Sequence, residues 1–79
     1  LMKKDDCGNV IIGDKKKIFC VGAMNSLLIP GKNPLALVGV NNLVVIDAGD
    51  VILICDKTKA QDVKKLVNLL KEKKLETYL

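Results

Sequence analysis

The residues with the most chemistry in them are three cysteines and nine carboxylates, in a chain with no histidine. Without an imidazole there is no Ser-His-Asp or Cys-His nucleophile and no histidine general base. Cys7, Cys20 and Cys55 form no Cys-x-x-Cys pair, and an odd number cannot all pair internally. Mixed Cys/His zinc sites are excluded, and the spacing suits no four-cysteine site. Cys20 and Cys55 lie within apolar runs and are expected to act as small core residues. Free thiols point to a reducing compartment, and the expected location is cytoplasmic.

A carboxylate pair could in principle act as acid and base. Asp5 and Asp6, however, fall in a polar opening segment, and Asp47, Asp50 and Asp56 fall at strand ends, where aspartate commonly forms turns. Gly31-Lys32 suggests a phosphate loop, but the first glycine and the terminal hydroxyl of that motif are absent, and Pro30 and Pro34 flank it. Gly8-Asn9 and Gly13-Asp14 could present backbone N–H groups to an anion, and Lys15-Lys16-Lys17 could form an anion patch. Turn formation accounts for both more simply. No catalytic, cofactor-binding or metal-binding residue is therefore assigned.

The elements that would position such groups are short. Val10-Ile11-Ile12, Ile18-Phe19-Cys20-Val21, Ser26-Leu27-Leu28-Ile29 and Leu35-Ala36-Leu37-Val38 are separated by Gly, Asn and Pro. Such runs read as brief strands with tight turns, arranged either as stacked rungs of a β-helix or as a meander. Leu43–Asp47 and Val51–Cys55 flank Ala48-Gly49-Asp50 and predict a hairpin with a three-residue loop, Gly49 supplying the positive φ. Neither arm alternates, so both faces are expected to be covered. Thr58 and Gln61 make a capping box, and Val63, Leu66, Val67 and Leu70, widened by Leu69, form one apolar stripe. The spacing predicts a helix over about 59–74, packed by that stripe on the hairpin. Residues 1–7 read as the end of a linker and residues 8–79 as one domain.

Seventy-nine residues allow one small domain, which buries roughly 60–65% of its unfolded surface. Apolar residues make up 49%, with a mean hydropathy of +0.26, rich for so small an interior. Part of that surface is expected to face another domain or subunit. The net charge of +4 comes entirely from lysine, without the arginine forks and stacking aromatics of nucleic-acid readers. Neither nucleic acid nor membrane is expected as a partner, since no apolar run reaches the ~20 residues that span a bilayer. The rival reading is an independent binding module whose lysine face meets an anionic partner.

One ordered pattern carries more than its chemistry explains. Leu37-Val38-Gly39-Val40-Asn41-Asn42-Leu43-Val44-Val45-Ile46-Asp47, then Asp50–Cys55, then Ala60-Gln61-Asp62-Val63-Lys64-Lys65-Leu66-Val67 resembles the C-terminal region of bacterial mannose-1-phosphate guanylyltransferases, including forms fused to phosphomannose isomerase. Gly8-Asn9, Gly13-Asp14 and Asn25-Ser26 match that family's turn positions, while Cys7, Ala48 and the Pro30–Pro34 segment depart from its pattern. The resemblance implies a mainly β fold with one C-terminal helix: short left-handed β-helix rungs, then a hairpin packed against the helix. It implies a parent enzyme converting GTP and mannose 1-phosphate to GDP-mannose and pyrophosphate with a divalent metal, expected to be magnesium. The catalytic loop of that family is absent from this sequence. The implied partners are an N-terminal nucleotidyltransferase domain and further copies in a homo-oligomer.

Overall fold

The apolar runs fold as strands, and the way they pair decides between meander and coil. The computed structural model describes residues 4–72. Strands β1 (Val10–Ile11), β3 (Leu27–Ile29) and β5 (Leu43–Asp47) pair in parallel, and β6 (Ile52–Asp56) runs antiparallel beside β5. A second sheet holds β2 (Ile18–Val21) and β4 (Leu35–Val38), also in parallel. From β1 to β5, chain-adjacent strands thus alternate between two sheets, which is the path of a β-helix and not of a meander. Val10 pairs with Leu27, Leu27 with Val44 and Ile18 with Leu35, a rung of 17 residues.

Corners make the coil possible. Gly8, Asn25 and Asn42 occupy one rung position and all have positive φ (81°, 52° and 61°). Gly22 and Gly39 share another corner, at 72° and 63°. Glycine and asparagine tolerate this left-handed region best. Beside the first corner, the buried Asn9 donates from Nδ2 to the Ala23 carbonyl at 2.7 Å, and its Oδ1 accepts from the Ser26 N–H at 2.9 Å. One rung on, Ser26 Oγ accepts from the Leu43 N–H at 3.1 Å. Polar side chains at a fixed position thus carry hydrogen bonds from rung to rung where the strands have ended. Between the sheets lie Leu28, Val45, Ala23, Leu35 and Leu37, with Ile11, Ile18, Val40 and Leu43 packed against them. Ile11, Leu28 and Val45 are register partners, so one column of side chains fills the interior.

Lys4–Cys7, assigned to a linker by composition, are tied to the first rung. Lys4 bridges to Val10, and Asp5 Oδ1 accepts from the N–H groups of Cys7 and Asn9. The hairpin forms with Gly49 at φ 100°, but its second arm starts at Ile52, leaving a four-residue loop closed by Ala48 N–H on the Val51 carbonyl at 3.0 Å.

Three expectations need correction. Thr58 is not the cap: Asp56 Oδ1 accepts from both the Thr58 N–H (2.8 Å) and its hydroxyl (2.6 Å). That grip winds Lys57–Asp62 as a 3₁₀ turn, and α1 (Val63–Glu72) starts four residues later than predicted. Residues 73–74 of the expected helix lie outside the described residues. Cys20 is exposed and Cys55 only half-buried. Cys20 pairs with the buried Leu37 but stands on the edge strand of its sheet, with no further rung stacked on it among the described residues. Finally, the hairpin is not covered on both faces, because Ile52 and Ile54 are 45% and 62% exposed. They share a face with Asp47 and Val45, so they continue the inner wall of the coil. Among the described residues the second sheet has two strands, and none of them lies opposite β6.

Candidate functional site

Asp47, Asp5 and Asp56 are each held by their own hydrogen-bond donors. Asp47 accepts from the Gly49 N–H at 2.9 Å and the Asn33 N–H at 2.9 Å, and these bonds hold its pKa below the ordinary carboxylate value. The Asn9 N–H lowers that of Asp5, and the Thr58 hydroxyl and N–H lower that of Asp56. Hydrogen bonds to the charged form explain all three shifts. These carboxylates are turn anchors, and Asp50 lies in the exposed hairpin loop. Among the described residues no group of three or more His, Cys, Asp or Glu side chains converges.

Lys17 has a comparable part in the fold. Lys17 Nζ donates to the carbonyls of Gly31 and Lys32, pinning the turn before β2 to the one before β4. Gly31 is packed against the hairpin, since a Cβ there would lie 2.7 Å from the Asp47 carbonyl oxygen. The Gly31-Lys32 segment is therefore a rung-to-rung contact. Lys4, Asp5, Asn9, Ile11 and Lys15 line an open groove of about 260 Å³ at the start of the coil. A second groove of about 270 Å³ runs between Leu53 and Cys55 of β6 and Val63 and Leu66 of α1. The helix therefore lies beside the hairpin, with Leu66 and Leu69 still exposed.

The largest feature left is apolar surface. On β2 and β4 the outward residues are Phe19, Val21, Ala36 and Val38, paired Phe19 with Ala36 and Val21 with Val38. Phe19, Val21 and Val38 are 60%, 72% and 77% exposed. The unbroken apolar run Ile18–Val21 is the signal that could have revealed this face, because a strand with one wet side should alternate.

This two-sheet coil closed by a hairpin and helix matches the family model of the MannoseP isomerase/GMP-like beta-helix domain over residues 16–70. The chain belongs to that family. Its relatives in the β-helix family include a mannose-1-phosphate guanylyltransferase of Salmonella muenchen, 39% identical over 90% of this chain and 14% of the relative. Another, from Klebsiella pneumoniae, is 33% identical over 95% of this chain and 15% of the relative. A crystal structure described as a mannose-1-phosphate geranyltransferase from Thermus thermophilus superposes with a TM-score of 0.76. It is 26% identical, over 86% of this chain and 20% of that one. The β-helix domain therefore spans about one-seventh of the length of the two curated relatives. Among the described residues, no helix is long and apolar enough to cross a membrane.

Proposed function

We propose that this β-helix domain is the non-catalytic accessory part of a mannose-1-phosphate guanylyltransferase, the enzyme that converts GTP and mannose 1-phosphate to GDP-mannose and pyrophosphate. Nucleotide, sugar phosphate and a divalent metal, magnesium by expectation, would bind in the remainder of the enzyme. The domain's task is to pack against that nucleotidyltransferase part and to support assembly of the enzyme's copies. The observation that carries the reading is a strand face of four outward apolar residues, left uncovered in a domain that occupies a small fraction of its relatives. A chain this small rarely has more than ~3–5 kcal/mol of core stability, so leaving such a face wet is expected only where a partner covers it.

The test is deletion of this segment from the full-length enzyme, with GDP-mannose formation, soluble yield and sedimentation measured together. Loss of any of the three with the segment removed is the expected result. Unchanged activity, yield and assembly would overturn the proposal, as would nucleotidyl transfer by the 79-residue chain alone.

A further inference from the structure

Resting on that reading, we infer that the outer face of the β2–β4 sheet is the seat of the nucleotidyltransferase part of the same polypeptide, and that its occupant is an apolar surface edged with carboxylates. The other sheet does not offer an equivalent face. Its outward residues Val10, Leu27, Val44, Ile29 and Ile46 are all half-buried. On β2 and β4 every outward residue is apolar and exposed, and their register sets the four side chains in two level rows.

The rim gives the sign of the partner. Lys16 lies two residues before β2 and Lys32 three before β4, both exposed, so two cations stand at the same end of the apolar rows. Charges at the edge of an interface select and orient a partner of opposite sign. Area decides between a tethered occupant and a free one. Four side chains, one of them alanine, offer on the order of a few hundred Å², well short of the roughly 800 Å² per partner in a stable free-standing pair. A covalently linked domain needs far less, because the tether supplies a millimolar-range effective concentration. Relatives about seven times longer than this β-helix domain contain chain enough to provide one.

The test uses the full-length enzyme with single cysteines introduced by Val38→Cys on this face and Lys65→Cys on the open side of α1. Maleimide labelling is followed by peptide mass spectrometry. Val38→Cys is expected to react about tenfold or more slowly than Lys65→Cys, since labelling must wait for the interface to open, and dilution should not change the ratio. Equal rates at the two sites would overturn the assignment. Protection that disappears on dilution would also overturn it, by making the occupant a second copy. If Val38→Cys impairs folding, Phe19 can be followed in the unmodified enzyme by hydroxyl-radical footprinting, with strong protection expected and full reactivity fatal. Free reaction at Val38→Cys in an enzyme that still makes GDP-mannose would remove this face and leave the proposed function standing. Protection in an enzyme without that activity would do the reverse.

Discussion

At the scale of single residues, Asp5, Asp47 and Asp56 fasten turns. Asp47 fastens the hairpin turn and the Asn33 loop together. Its folded pKa is depressed, so its contribution is present above the unfolded value near ~3.9 and is lost as pH falls through the folded one. Asp5 and Asp56 act in the same direction. Thermal stability should therefore be level near neutrality and decline below about pH 4. Asp47→Asn is expected to lower the melting temperature by several degrees at pH 7 and to make that acid decline shallower, as read by circular dichroism across a pH series. Asn9 is the more demanding position. Asn9→Ala leaves the Ser26 N–H and the Ala23 carbonyl without their partner, at a cost of about 2–4 kcal/mol, measurable as a shift in guanidinium midpoint. Its residue type marks Asn9 only as a turn former, because type alone does not disclose that the next rung's N–H lies above it.

At the scale of elements, the strands are legible in the sequence and their pairing is not. Runs such as Ile18–Val21 and Leu35–Val38, bounded by glycine and proline, mark strands wherever they pair. Parallel stacking is disclosed by the 17-residue repeat, which is obscured because equivalent corners are filled by different residues: Gly8, Asn25 and Asn42. Spacing misplaces the helix start because Asp56 competes for the donors of Thr58, a contest that spacing alone does not settle. Corner geometry also yields a graded test. Gly39→Ala meets no neighbouring atom, so it should cost only the left-handed strain of about 1–2 kcal/mol, and Gly39→Asn less. Gly8→Ala should cost more, because its Cβ would lie 2.5 Å from Asn25 Oδ1 and displace a side chain bonded to Asn41. Urea unfolding of the three variants orders them.

At the scale of the whole molecule, composition announces an apolar excess and the fold locates it on the β2–β4 face and on the inner side of β6. Its location is hidden from composition, because it depends on which sheet receives each strand. If the first of these faces is kept for a tethered partner, the isolated 79-residue chain should sediment as a monomer at micromolar concentration. A parallel coil has one further hazard. Its last rung displays the same row of donors and acceptors that the rung before it has just used, so a second molecule's first rung could dock there, and a third after it. Such head-to-tail addition does not close on itself and grows filaments. The reversal at Gly49 ends that series: β6 occupies the bare edge of β5 in the opposite direction, and its last residue, Asp56, arrives beside Asn42, at the corner shared with Gly8 and Asn25. The hairpin thus works as a polymerisation stop. A chain cut short after Asp50 should lose that protection and form fibres visible by electron microscopy, whereas the intact chain stays discrete.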